Sequence, residues 1–167
     1  TINSFSQQDR KIIYVDSKQD YLLLLEKETK ITNQIIEDTN IDVFVNASNN
    51  KFNYTLIISK ITSSVFINGD LLNEEYEKYL KDNCNCTLLE PEIVIYNNLK
   101  SVRYNLKTER ENSHFKGYID SFVSNSVLYN VLFLTYENNF ESMKDRYIAI
   151  MNTLFINGKT TIDNYKE

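Results

Sequence analysis

Apolar residues form their longest run between residues 127 and 136, Val-Leu-Tyr-Asn-Val-Leu-Phe-Leu-Thr-Tyr. A run of this length that is apolar almost throughout predicts a strand buried on both faces. The segment 99–108 instead alternates apolar and polar residues from Val102 onward, with Arg103 and Lys107 among the polar ones. This alternation predicts a strand with one buried and one solvated face.

Further strands surround these two. A third run covers residues 115–123, and the polar stretches 109–113 and 124–126 separate it from its neighbours. Three such runs joined by short polar turns predict an antiparallel meander. The short apolar segment from Ile93 to Tyr96 predicts one more strand before the meander.

The first half of the chain is less clearly patterned. Residues 43–45 and 54–61 predict a hairpin around Asn49-Asn50. Residues 18–28 fit two structures. Ser17-Lys-Gln-Asp20 resembles a capping box, which favours a helix, whereas Tyr21 to Leu25 equally fits a short buried strand. We favour the strand.

Two segments show helical spacing. Residues 72–81 carry apolar side chains at offsets of four, seven and eight, with Asp70 or Asn73 as the cap. Residues 141–155 carry a second stripe, capped by Ser142 or Asn139 and ended by Asn157-Gly158. The first stripe consists of Leu72, Tyr76, Tyr79 and Leu80, and the second of Met143, Tyr147, Ile150, Met151 and Leu154.

The order of strands, helix, meander and helix predicts an α+β domain with a central antiparallel sheet flanked by helices. The chain has 167 residues, 42% of them hydrophobic, with only three glycines and one proline. We therefore expect a single domain over residues 1–167, with residues 1–10 and 159–167 as flexible ends.

Charge and hydropathy restrict the classes of partner. The formal net charge is −5, so electrostatics gives no support to a nucleic-acid partner. No apolar run approaches the roughly 18–20 residues of a membrane span. The chain begins at Thr1, so we expect either a removed export leader, with a lipid anchor preceding Thr1, or a trimmed cytoplasmic protein.

The segment 82–91 holds the two cysteines of the chain, Cys84 and Cys86, and its one proline, Pro91. A structural zinc site requires four ligands and usually wider cysteine spacing. A disulfide across one residue closes a very small ring and tends to be reducible. We favour a third interpretation, in which the cysteines are free and lie just past a helix.

Candidates for catalysis are few. A triad or dyad mechanism would have to use His114, the one histidine, which lies in a polar turn without an evident orienting partner. Glu90 and Glu92 are close in sequence, and a solvated turn explains both. Glycines at 69, 117 and 158 cannot form a phosphate-binding loop. We predict no catalytic, cofactor-binding or metal-binding residue.

Two surface features remain. Basic residues along the wet face of the alternating strand form a stripe that we interpret as a solvated face. Twelve tyrosines and nine phenylalanines supply the core, and surplus tyrosines on the sheet favour recognition over catalysis. The basic stripe consists of Lys100, Arg103, Lys107 and Arg110.

The segment NVLFLTYENNFESMKDRYIAIMNTLFIN resembles the close of PsbP/Mog1-like domains, in which a buried strand leads through a polar turn into an amphipathic helix. The earlier order of elements is similar as well. Residues that match the motif are Phe140, Tyr147, Ile150, Thr153 and Leu154. The first half departs from the plant PsbP pattern, so no photosynthetic role and no family residue role is carried over.

The resemblance implies an α/β/α sandwich whose members mostly bind partners, as in stabilising photosystem II, engaging a small GTPase, or serving as bacterial lipoproteins and chaperones. The leading hypothesis is therefore a non-enzymatic binding or assembly module, exported by a bacterium, with an unidentified protein partner and no cofactor. One alternative is a small hydrolase or metal-dependent enzyme that uses His114, a cysteine and carboxylates. A second is a cytosolic chaperone or immunity protein.

Overall fold

The computed structural model of the chain describes residues 10–15, 21–26, 28–35, 41–61, 71–96, 99–124 and 127–156. The strands are β1 (Arg10–Val15), β2 (Tyr21–Glu26), β3 (Lys30–Ile35), β4 (Ile41–Asn49), β5 (Tyr54–Ile61), β6 (Thr87–Tyr96), β7 (Leu99–Arg110), β8 (Ser113–Ser124), β9 (Val127–Tyr136) and β10 (Phe155–Ile156). The helices are α1 (Glu74–Cys84) and α2 (Phe140–Met151).

Within these ranges, seven strands form one antiparallel sheet in the order β3-β4-β5-β9-β8-β7-β6. Strands β1, β2 and β10 form a second, smaller sheet. The central position of β9, between β5 and β8, explains why its sequence is apolar almost throughout. The predicted meander of β7, β8 and β9 is confirmed, and the chain is an antiparallel sheet combined with helices, as expected.

A two-residue turn joins β7 to β8 and fixes their register. Glu111 and Asn112 have φ values of 49° and 62°, as a type I′ hairpin requires. Arg110 lies opposite Ser113, and from there the two strands pair without a shift as far as Val102 and Ser121. This uninterrupted pairing determines which side chains of β7 and β8 meet.

The buried side chains form two clusters that draw on alternate residues of the large sheet. One contains Tyr147 and Ile150 of α2 together with Tyr118 and Phe122 of β8, and we call it the α2 cluster. The other contains Tyr76 and Leu80 of α1 together with Ile119 of β8, and we call it the α1 cluster. Because successive residues of a strand point to opposite faces, the two clusters occupy opposite sides of the sheet.

The first predicted helix is confirmed with different bounds. Asn73 is the cap, and its side-chain oxygen accepts a hydrogen bond from the Tyr76 amide at 2.7 Å. Leu72 precedes the helix and is exposed, so its assignment to the apolar face was wrong. The helix continues past Lys81 to Cys84, because Asn85 ends it in the left-handed conformation that asparagine tolerates.

The second predicted helix, α2, starts near the expected residue and ends earlier. Asn139 precedes it and accepts a hydrogen bond from the Ser142 hydroxyl at 2.8 Å. The helix stops at Met151, because the Thr153 and Leu154 amides bond to the last-turn carbonyls of Ile150 and Met151. This turn sends the chain into β10. The expected terminator Asn157-Gly158 and the alternative cap Asp70 lie outside the described residues.

The first half contains more strands than the pattern predicts. The hairpin of β4 and β5 is confirmed, and residues 21–26 form a strand, which confirms the favoured interpretation. Strands β1 and β3 were missed, and β1 begins at Arg10, inside the range expected to be a flexible end. Strand β6 starts at Thr87 rather than Ile93.

The buried face of α2 gives the first testable prediction. Ile150 is buried in the α2 cluster, whereas the neighbouring Ala149 is exposed. We expect Ile150→Ala to lower the free energy of unfolding by about 2–5 kcal/mol through lost burial and an unfilled cavity. Ala149→Lys is the matched control and should change it by less than about 0.5 kcal/mol. Chemical denaturation measures both, and equal tolerance of the two changes would contradict the assigned face.

Candidate interaction surface

Strand β6 is one edge of the seven-stranded sheet. It pairs with β7 on one side, and among the described residues it has no strand on the other. The chain leads from α1 into β6, and β6 is added next to β7 at the end of the strand order. Its register shifts between Leu88 and Pro91, so Leu89 and Glu90 form a bulge. Proline is tolerated here because an edge strand does not need every amide hydrogen for pairing.

Several exposed apolar side chains lie on this one strand. The exposed fractions are 47% for Leu89, 50% for Ile93 and 64% for Ile95. Ile93 and Ile95 are two residues apart and therefore project from the same side of β6. That side is the one occupied by the α1 cluster, because Ile93 lies opposite Val102, a member of that cluster. Natural edge strands usually carry charge or stay short, so this apolar pair requires an explanation.

A buried ion pair lies on the other side of the sheet, beneath α2. Arg103 of β7 lies directly opposite Asp120 of β8, and both side chains are almost completely buried. The Arg103 guanidinium donates from Nε to Asp120 Oδ1 at 2.9 Å and from a terminal nitrogen to Oδ2 at 3.0 Å. A bidentate geometry of this kind is the strongest form of the arginine–carboxylate contact.

Tyrosines complete the polar shell of this ion pair. Asp120 Oδ2 accepts hydrogen bonds from the Tyr96 hydroxyl at 2.5 Å and from the Tyr147 hydroxyl at 2.7 Å. The Arg103 guanidinium carbon lies 4.0 Å from the centre of the Tyr118 ring, within cation–π range. The group therefore joins β6, β7, β8 and α2 through one carboxylate.

Burial and charge act in opposite directions on this carboxyl group. Burial raises the pKa of Asp120 from 3.8 to about 6, while the Arg103 charge and the hydrogen bonds lower it. Burial also raises the pKa of Tyr147 well above its ordinary value, and the neighbouring Asp120 charge adds to this effect. Tyr147 therefore acts as a neutral hydrogen-bond donor that holds α2 to the sheet.

The predicted basic stripe does not form one solvated face. Arg103 is buried, which corrects its assignment to a solvated stripe, whereas Lys100, Lys107 and Arg110 are exposed. The middle of β7 has buried residues on both faces because β6 and β8 flank it and both core clusters cover it. Glu92 of β6 approaches Arg103 to 3.9 Å and remains 54% exposed.

The residues of the C-terminal motif each have a definable contact. Phe140 packs against Tyr118 with ring centres 5.2 Å apart, and Tyr147 reaches Asp120. The Thr153 hydroxyl donates to the Ile150 carbonyl at 2.6 Å and accepts from the Leu24 amide at 3.0 Å. Since Leu24 belongs to β2, the motif fastens the smaller sheet to the end of α2.

The cysteine pair is a disulfide. Cys84 and Cys86 are bonded, with their Cα atoms 5.3 Å apart, so the interpretation of free, unrelated cysteines was wrong. Cys84 is also the last residue of α1 rather than a residue beyond it. The left-handed conformation of Asn85 turns the chain sharply enough to bring the two side chains together.

The remaining candidates are exposed. His114 is the second residue of β8 rather than a turn residue, and its Nδ1 lies 3.8 Å from Glu109 Oε2. At that distance the carboxylate does not make the hydrogen bond that orients a general base. Glu90 and Glu92 are both exposed, on either side of Pro91.

In the ranges described, no three or more His, Cys, Asp or Glu side chains come together as a metal-binding group. Searched over the same ranges, no helix has both the length and the apolar character that crossing a membrane requires.

The ion pair generates a second testable prediction. Arg103→Met leaves the Asp120 carboxylate buried without its cation and should lower the free energy of unfolding by about 3–5 kcal/mol at neutral pH. The pKa of Asp120, raised to about 6 in the intact protein, should rise further in the variant. The folded variant then binds more protons than the unfolded chain, so its stability should increase as the pH falls from 7 towards 4.

The double variant Arg103→Met/Asp120→Leu is the matched control. It removes both charges and should recover most of the stability that Arg103→Met loses, and its denaturation should lack the acid-side gain. Chemical denaturation at several pH values measures both effects. A double variant as unstable as the single one would show that the ion pair is not what makes Arg103 necessary.

The sequence matches no protein-family model and no curated protein. Solved structures do match it by fold. The solution structure of cyanobacterial PsbP (CyanoP) from Synechocystis sp. PCC 6803 aligns with a TM-score of 0.68 at 11% identity, over 93% of this chain and 98% of that one.

Two crystal structures are also similar. A protein from Bacteroides thetaiotaomicron VPI-5482 aligns with a TM-score of 0.58 at 10% identity, over 87% of this chain and 48% of that one. The chain thus spans about half of that protein. PA94 of Pseudomonas aeruginosa, a protein of unknown function, gives a TM-score of 0.51 at 14% identity, over 86% and 95% of the two chains. The chain therefore has a PsbP-like fold, as its C-terminal motif predicts.

Proposed function

We propose that the protein is a non-enzymatic binding or assembly module that captures an extended segment of a partner protein on the free edge of β6. Its fold is the α/β/α sandwich that the resemblance implies, and the two core clusters on opposite sides of the sheet support this arrangement. The observation that carries the proposal is the edge strand with exposed Ile93 and Ile95.

Main-chain geometry provides the affinity in this mode of binding. An edge strand offers unpaired amide and carbonyl groups, and an added strand satisfies them while its side chains meet those of the edge. Pro91 has no amide hydrogen and the bulge at Leu89 and Glu90 disrupts the ladder. Pairing is therefore confined to residues 92–96, the regular part of β6.

The charge around β6 indicates which kind of partner segment fits this edge. On one side of β6 the partner strand meets Ile93 and Ile95, and on the other it meets Glu92. Asp120 already neutralises Arg103, so the Glu92 carboxylate leaves this region with net negative charge, and Glu90 adds to it. An extended segment that alternates apolar residues with lysine or arginine is complementary to both sides.

The proposal places the protein outside the cytoplasm, as an exported or lipid-anchored protein. The Cys84–Cys86 disulfide supports this location, because disulfides persist mainly in oxidising compartments. After reduction of intact cells, a membrane-impermeant maleimide should label both cysteines. Labelling only after cell lysis would contradict an extracytoplasmic location.

The third testable prediction uses two synthetic peptides as probes, one alternating valine with lysine and the other valine with glutamate. We expect the lysine peptide to bind and to shift the amide resonances of residues 92–96 in NMR spectra. Ile93→Lys/Ile95→Lys should weaken that binding at least about tenfold, a loss of ~1.4 kcal/mol. Because both side chains are exposed, the melting temperature should stay unchanged.

Tyr136→Lys is the matched control. Tyr136 is also exposed and apolar in part, but it lies on β9, which β8 and β7 separate from β6, so this change should leave peptide binding intact. Equal binding of the two peptides would contradict the proposed occupant. A dimer in sedimentation experiments that Ile93→Lys/Ile95→Lys abolishes would show that a second copy, not a partner strand, occupies the edge.

A further inference from the structure

The disulfide between Cys84 and Cys86 has chemistry that the proposed function does not use. It connects the last residue of α1 to the residue before β6. Both cysteines are only partly buried, so a thiol in solution can approach the sulfur atoms. Other contacts already hold α1 and β6, the two elements that the disulfide connects.

A structural role explains this disulfide poorly. The stabilisation that a disulfide gives by restricting the unfolded chain grows with the length of the loop it closes, and this loop contains one residue, Asn85. The α1 cluster and the Asn73 cap hold α1 independently of the bond. Exposed disulfides that stabilise little are the ones that take part in exchange.

The surroundings of the two sulfur atoms differ. Cys84 ends α1, where the helix dipole disfavours a negative charge, and Asp82 two residues before it adds further negative charge. Cys86 lies outside the helix, immediately before β6, so the dipole of α1 disfavours a negative charge on its sulfur less strongly. The only basic residue in the last turn of α1, Lys81, is already paired with Glu77 at 2.5 Å.

We propose that Cys84 and Cys86 form a thiol–disulfide exchange site that oxidises dithiols in a peptide or protein substrate. Cys84 is the sulfur that is attacked, because its disulfide partner Cys86 is the better leaving thiolate. This activity is separate from strand capture on β6 and does not depend on it.

The exchange balances in two steps. A substrate thiolate bonds to Cys84 Sγ, the Sγ–Sγ bond breaks, and its electron pair goes to Cys86. The second substrate thiolate then attacks the substrate sulfur of the mixed disulfide and expels Cys84 as a thiolate. The substrate has lost two electrons and two protons, and the two cysteines have gained them. A small-molecule disulfide of the glutathione type restores the bond and leaves as two thiols.

The first experiment equilibrates the full chain with mixtures of reduced and oxidised glutathione and counts alkylated cysteines by mass spectrometry. We expect millimolar reduced glutathione to open the bond reversibly while the protein stays folded. Cys84→Ser/Cys86→Ser should lower the melting temperature by less than about 5 °C. A bond that resists glutathione, or a larger loss in the double variant, would show a structural disulfide and overturn the proposal.

The second experiment tests activity and asymmetry. In glutathione buffer, the protein should accelerate oxidation of a reduced peptide with two cysteines about tenfold over Cys84→Ser/Cys86→Ser. In the reduced protein, iodoacetamide should modify Cys86 faster than Cys84. No acceleration over the double variant, or equal rates at the two cysteines, would contradict the exchange site.

Discussion

The buried contact between Arg103 and Asp120 is the interaction on which the rest of the large sheet depends. Two charges inside a protein are tolerated only when each is fully paired, and here the pairing requires β7 and β8 to hold one register. A slip of one residue between the two strands would place the two charges on opposite faces of the sheet and break the pair. The Tyr96 and Tyr147 hydroxyls extend the same requirement to the edge strand and to α2.

A second polar contact plays the corresponding part on the other face. The Tyr76 hydroxyl of α1 donates to Asn130 Oδ1 of β9 at 2.7 Å and lies 2.7 Å from Ser121 Oγ of β8. Each helix thus places the hydroxyl group of one buried tyrosine against polar side chains in the middle of the sheet. Apolar contacts alone would allow each helix to slide, and the hydroxyl contacts select one position.

The hydrophobic pattern predicted the central strands and both helices, because apolar residues occur at the positions that are buried. The pattern placed Arg103 on a solvated face, which was wrong. Alternation shows only that a residue differs from its neighbours along the strand, and it does not show which residue lies opposite on the next strand. The available signal was Asp120, a charged residue inside the apolar run of β8 opposite an arginine.

The free edge of β6 depends on the order of the strands in the sheet, which composition does not encode. Pro91 was the one local sign of an edge strand. The disulfide was misjudged because the left-handed turn at Asn85 was not foreseen.

The irregular edge of the large sheet at β6 also affects how the protein behaves at high concentration. A head-to-tail contact between β6 of one molecule and β3 of the next would not close on itself and would grow into a fibre. The β6 edge is interrupted by its bulge and by Pro91, whereas the shift between Thr32 and Gln34 puts the extra residue on β4 and leaves β3 regular. Because β6 cannot align with another strand over its full length, growth of this kind is restricted to its short regular part.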